Sequence, residues 1–206
     1  MKKHDAILLI GPTGSGKTPL GEFLAENGFN GHRCIHFDFG VNLRRIAAAG
    51  FGDGLTQEDI AVVKHVIARR TLLEDSEFRI AETILRFFIA REARAANDLV
   101  ILNGLPRHVG QAENVGSVVN MKRVISLDCS SKVVFERIRL NSGGDRAERS
   151  DDAMDDVTRK LEIFRKRTTP LLDYYRANGV EVHIVGVQAD TNSAEIAALL
   201  RDGDNY

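Results

Sequence analysis

The stretch "LIGPTGSGKTPL" at residues 9–20 restricts this chain more than any other. Gly11 is followed by four residues and then by Gly16-Lys17-Thr18, the G-x-x-x-x-G-K-[ST] pattern. An apolar run at 6–10 precedes it, and Leu20, Phe23 and Leu24 follow at helical spacing. A strand–loop–helix unit of this kind suits one class of ligand. Gly11, Gly14, Ser15 and Gly16 let backbone N–H groups turn inward around phosphate oxygens. Lys17 can reach the β- and γ-phosphates, and the Thr18 hydroxyl can meet Mg²⁺. The following helix points its positive end at the anion. Pro19 falls in the first helical turn, where its missing N–H does little harm. The loop predicts a nucleoside triphosphate, ATP with Mg²⁺, as its ligand.

Five apolar runs read as strands: 6–10, 34–37, 99–102, 123–127 and 180–185. Several are apolar throughout, as expected of parallel strands covered on both faces. Between them lie helical patterns. Ala81, Ile84, Leu85 and Phe88 form one stripe within 77–94, and Val157, Leu161 and Phe164 another within 151–167. Strand–helix alternation predicts an α/β fold with a parallel sheet. Residues 49–57 read as a loop between helices, and 141–152 as a polar loop long enough to be functional. No repeat, linker or second core interrupts the 206 residues, so a single domain is expected. Lys+Arg number 28 and Asp+Glu 29, a net charge of -1. That balance predicts neither a nucleic-acid nor a membrane partner. The N-terminal apolar run is too short for a secretion signal or a membrane span, so a cytoplasmic location is the default expectation. Cys34 and Cys129 stand too far apart for a Cys-x-x-Cys half-site and read as buried apolar thiols.

A phosphate loop alone does not say what receives the phosphate. The stretch "ILNGLPRHVGQAE" at 101–113 says more. Its strand ends at Asn103-Gly104, and Leu105-Pro106-Arg107 turns away. In open parallel sheets ligands bind beyond the carboxyl ends of strands, so Arg107 is expected on the same rim as Lys17. This stretch resembles the "DGFPR…Q" segment of nucleoside monophosphate kinases, and of adenylate kinases in particular. Other segments resemble the same family in the same order. "FDFGVNLRR" (37–45) is similar to "STGDLLR", and "RTLLEDSEF" (70–78) to "GxLVPDE". "VVFERIRLN" (133–141) is similar to the helix leading into the lid. "ERSDDAMDDVTRKLEIFRKRTTPLLDYY" (148–175) is similar to "GRxDDxxExxxxRLxxYxxxTxPLxxYY".

The resemblance implies a P-loop NTPase fold: a five-stranded parallel sheet with helices on both faces. It also implies a helical acceptor-binding insertion at about 38–80 and a short lid at about 141–150. Arg44 and Arg107 would clamp the acceptor phosphate, and Gln111 would read a purine-type base edge. Arg137 and Arg149 would hold the donor phosphates, oriented by Asp151 and Asp152. With Lys17 and Arg107 they make up the implied catalytic set. Phosphoryl transfer needs such a set, because it rests on positioning and on neutralising spreading negative charge.

The sequence also departs from the family. The family's Asp that helps hold the metal's water shell is Asn103 here. The Thr and Asp of "STGD" are Phe39 and Val41, so an aromatic face stands where a hydroxyl would touch the acceptor base. A second arginine is replaced by Asn141, and a later helix arginine by Lys160. Arg146 and Arg149 compete for one lid role. The implied activity is transfer of the γ-phosphoryl of Mg·ATP to a nucleoside monophosphate, AMP-like, by a monomer whose partners are small nucleotides. A P-loop kinase for a nucleoside or other small metabolite, or a catalytically weak nucleotide-binding regulator, remain alternatives.

Overall fold

A computed structural model of the chain describes residues 3–145 and 154–202. Its strands are β1 (Asp5–Ile10), β2 (Cys34–Asp38), β3 (Leu99–Asn103), β4 (Asn120–Asp128) and β5 (Glu181–Gly186). All pair in parallel, in the order β2-β3-β1-β4-β5. The five expected strands are therefore present. β4 starts earlier than its apolar run, because its first residues pair with β1 while their side chains alternate outward.

The all-apolar strands follow from burial on two sides. Ala6, Leu8 and Ile10 of β1 enter one core with Ile35 and Phe37 of β2. Ile7 and Leu9 enter the other, with Ile101 of β3. Successive strand side chains point to opposite faces, so a strand covered on both is apolar over most of its length, His36 of β2 being an exception. The second face is covered by α1 (Lys17–Asn27) and α9 (Ser193–Asp202), through Leu20, Leu24, Ile196 and Leu200.

Most of the remaining helices cover the first face, while Val134, Val157 and Leu161 form a small third cluster of their own. Between β2 and β3 the chain makes α2 (Phe39–Ala49), α3 (Gln57–Arg69) and α4 (Phe78–Glu92). Ala81, Ile84, Leu85 and Phe88 of α4 are all buried, as their spacing predicts. Phe88 meets Phe37 edge-on, with ring centroids 5.0 Å apart. Asp38 caps α2 by accepting the Val41 N–H, and Thr56 and Asp59 form a capping box on α3. After β3 come α5 (Val109–Val115), α6 (Ser131–Leu140), α7 (Met154–Ile163) and α8 (Pro170–Ala177).

The helix expected over 151–167 differs in detail. Its first residues, 151–153, lie outside the described ones. α7 ends at Ile163, and Phe164–Thr168 continue as a π-helical turn, the Thr169 N–H reaching the Phe164 carbonyl at 2.9 Å. Pro170 is one cause, since it has no N–H to continue the α ladder. Among the described residues no helix is long and apolar enough to cross a membrane.

β3 is anchored at its entry by Asp98, which is 3% exposed. Its carboxylate accepts the Arg94 N–H at 2.7 Å and the Ala95 N–H at 3.2 Å, and pairs with Arg33 at 2.6 Å. Burial alone would raise this carboxyl's pKa, but the backbone N–H groups and Arg33 outweigh it and hold it below the ordinary value. We expect Asp98→Ala to lower the unfolding free energy by about 3 kcal/mol near neutral pH, measured by urea denaturation. Asp98→Asn should behave similarly. The folded pKa lies below the unfolded value of about 3.9, so the charge's contribution is complete above that value. As pH falls through the folded value, the gap between wild type and Asp98→Asn should close.

Candidate active site

The register of the sheet brings three strand ends level. Leu9 of β1 pairs with Asn103 of β3, and Asn103 pairs with Asp38 of β2. Above these ends opens a cavity of about 500 Å³. On one side lies the loop 11–16. Gly14 (φ 77°) and Gly16 (φ 98°) are left-handed, and a Cβ on Gly14 would stand 2.9 Å from Ile138 Cγ1. Only glycine fits both demands. Ser15 is fully buried beneath the loop. Lys17 crosses the loop, its Nζ donating to the carbonyls of Gly11 (2.8 Å) and Pro12 (2.7 Å). Gly16 caps α1 without a side chain, which leaves the helix's positive end toward the loop.

Beside the loop stands a polar triangle. Thr18 Oγ1 donates to Asp38 Oδ2 at 2.8 Å. Asn103 Nδ2 donates to the same carboxylate oxygen at 2.8 Å and to Thr18 Oγ1 at 3.0 Å. Asp38 Oδ1 is held by the Val41 N–H at 2.9 Å. Asp38 was not among the sequence-derived candidates. The apolar run of β2 stops at Phe37, yet the rule that polar groups gather just past strand ends points to the next residue.

The opposite side of the cavity carries Arg44, Arg107, Gln111 and Lys160. Arg44 is exposed on the first turns of α2. A Cβ on Gly40 would lie 3.3 Å from its Nη1 and 3.4 Å from Asp38 Oδ1. Burial lowers the pKa of the Arg107 guanidinium from the usual arginine range, and the charge of Asp38 opposes that shift. The Arg107 carbonyl accepts from Thr168 Oγ1 at 2.9 Å, which ties it to the π turn. Gln111 is 1% exposed. Its Nε2 donates to the Leu73 carbonyl and its Oε1 accepts the Arg107 N–H, each at 2.8 Å. Phe39 lines the cavity but is 4% exposed and stacks on Phe37, so it belongs to the core.

Two groups on this side were not singled out from sequence. Arg70 lines the cavity from a left-handed position at the end of α3 and pairs with Asp156 of α7. Glu74 takes a two-pronged bond from Arg167, at 2.7 and 2.8 Å. No local pattern marks either pair, since each joins segments far apart in the chain.

Arg137 sits under the loop rather than in the cavity. Its Nε donates to the Gly14 carbonyl (3.1 Å), and its Nη1 to the carbonyls of Gln188 (2.6 Å), Ala189 (3.3 Å) and Thr191 (2.9 Å). Its Nη2 lies by Gly16, where an added Cβ would stand 3.1 Å from it. Arg137 thus braces the loop 11–16 from below. Arg146, Arg149, Asp151 and Asp152 lie outside the described residues. Arg137→Ala is expected to lower stability by about 3 kcal/mol, because its carbonyl partners lose a charged donor. The exposed Arg44→Ala should stay within about 0.5 kcal/mol of wild type. Urea unfolding of both variants reads the difference.

Comparison with known proteins extends beyond the loop. A family model described as an AAA domain matches residues 7–162. An adenylate kinase of Xanthomonas campestris pv. campestris (strain 8004) is 32% identical over 189 residues, covering 88% of this chain and 90% of its own length. One from Synechococcus sp. (strain WH7803) is 28% identical over 183 residues, covering 86% and 88%. One from Xylella fastidiosa (strain M23) is 27% identical over 202 residues, covering 94% and 98%. Likeness over 189 residues is more than a shared phosphate loop: the chain belongs to the adenylate kinase-like family of nucleoside monophosphate kinases, which are P-loop enzymes.

Proposed function

We propose that the protein moves the γ-phosphoryl group of ATP onto the phosphate of a nucleoside monophosphate, with an AMP-like acceptor favoured. One observation carries the reading: Lys17 and Thr18 of the loop share a single cavity with Arg44 and Arg107. A pair of guanidiniums facing a triphosphate loop suits a second anionic substrate. A neutral acceptor would need no such clamp.

In this reading an acceptor phosphate oxygen attacks the γ-phosphorus. The bond from that phosphorus to the β–γ bridging oxygen breaks, and ADP leaves. Lys17 meets the β- and γ-oxygens, while Arg44 and Arg107 hold the acceptor in line. Each contributes by position and by charge, which is most of what phosphoryl transfer asks of a protein. Arg149, with Arg146 as its competitor, would close over the donor and help exclude water. Lys160, on α7 and lining the cavity, would add a further cation.

The oxygen ligands beside the loop fit Mg²⁺, a hard cation. Thr18 would hold it directly and Asn103 through water. When bound, it neutralises charge on the phosphates. Gln111 supports the purine preference. Beyond its bonds to Leu73 and Arg107 it keeps one N–H and one lone pair, the complement of an adenine edge. Packing against Phe37 accounts for the aromatic ring at Phe39, so that ring is no argument for a different acceptor.

The test is a panel of nucleoside monophosphates with ATP and Mg²⁺, following ADP and the nucleoside diphosphate. AMP should react fastest, and no turnover on any member overturns the reading. Arg107→Ala should lower kcat/KM for the acceptor by about 100-fold or more. An unchanged value would instead point to an uncharged acceptor.

A further inference from the structure

We propose that Asp38 supplies the fixed negative charge that holds the divalent cation of the bound nucleotide, the charge that Asn103 cannot give. The inference rests on the triphosphate reading of the loop and deepens it.

The geometry carries the argument. Asp38 and Asn103 are register partners on neighbouring strands, and both touch Thr18, the loop residue whose hydroxyl would meet the cation. Moving the carboxylate from the end of β3 to the end of β2 displaces it by one strand spacing, about 4.8 Å. Oδ1 is locked by the first turn of α2, which aims Oδ2 at Thr18 and Asn103. Thr18 gives its proton to Asp38, so its oxygen keeps lone-pair capacity for a cation.

The electrostatics point the same way. A carboxylate fixed beside a phosphate-binding loop repels a bare triphosphate. Glu22 on α1 and Asp145 lie in the same corner. The Glu22 carboxyl is pushed up first by burial, then by the charges of Asp145 and Asp38. Crowded carboxylates next to an anion site are tolerable where a divalent cation stands between them and the phosphates.

Asp38→Asn removes the charge and keeps the α2 cap, because Asn caps a helix about as well as Asp; the Asn103 amide then turns its oxygen to the new N–H. ATP binding to the intact protein is measured by calorimetry in EDTA and in Mg²⁺, and bound Mn²⁺ by electron paramagnetic resonance with ADP present. Wild type should bind ATP more tightly with the metal. Asp38→Asn should bind metal-free ATP as well as wild type or better. It should lose about 10- to 100-fold in Mn²⁺ affinity and most of the Mg²⁺ gain. The exchange variant Asp38→Asn/Asn103→Asp, with the charge returned to β3, should recover the gain. Undiminished metal dependence in Asp38→Asn overturns the proposal, as does a melting temperature that falls with metal dependence intact. If wild type binds ATP in neither condition, the triphosphate reading fails and takes this proposal with it.

Discussion

The constraint on which this molecule depends is the parallel register of three buried strands. β1, β2 and β3 have apolar neighbours on both faces, so carboxylates stand only at their ends, at Asp5 and Asp38. Polar chemistry is displaced to the carboxyl ends. Because the strands are parallel, those ends all lie on one side of the sheet. The pairing of Leu9, Asn103 and Asp38 makes them level to within one residue. The loop, the carboxylate and the amide meet there without any long side chain reaching across. Their geometry is inherited from the backbone ladder.

The rest of the cavity is assembled from parts that the sheet does not fix, and the structure ties them together by other means. Thr168 on the π turn bonds the carbonyl of Arg107, and Gln111 bonds its N–H. Gln111 also grips Leu73, and Glu74 beside it takes the fork of Arg167. Arg107 is thereby linked both to the segment after α3 and to the π turn after α7. These links converge on a π turn, a distortion that re-aims side chains without ending the helix. The exposed ion pairs contribute little stability singly. Their importance lies in holding the segment after α3 against α7 and the π turn.

How far the sequence reveals all this depends on the range of the interaction. The strands are legible because two-sided burial writes itself into consecutive residues such as Ala6–Ile10. The loop is legible because left-handed backbone at Gly14 and Gly16 requires glycine. Arg107 is legible from its place just past a strand end, but Arg44 and Gln111 only through the family resemblance, and nothing local shows that Gln111 is engaged by a carbonyl 38 residues away. Asp38 escapes for the same reason, its partner Asn103 being 65 residues distant. Arg137 is the clearest case. Its place in the helix marks it as a phosphate ligand by resemblance, but its carbonyl partners lie in a loop more than 50 residues later. The π turn leaves no mark in the apolar stripe, because Val157, Leu161 and Phe164 keep ordinary helical spacing, and only Pro170 hints at it.

The departures from the family pattern also become less independent once the fold is in view. Read singly, Asn103 is a lost carboxylate and Phe39 a lost hydroxyl. In space they flank the same residue. Asp38 ends β2 just before Phe39 and pairs in register with Asn103. Phe39 turns into the core against Phe37, and the Asp38 carboxylate bonds Thr18. A charge at Asp38 and another at position 103 would lie within hydrogen-bonding distance of one hydroxyl, and like charges that close destabilise each other. An amide at Asn103 removes the repulsion and supplies the donor that Asp38 uses. The substitution on β3 and the carboxylate on β2 are therefore two halves of one electrostatic arrangement.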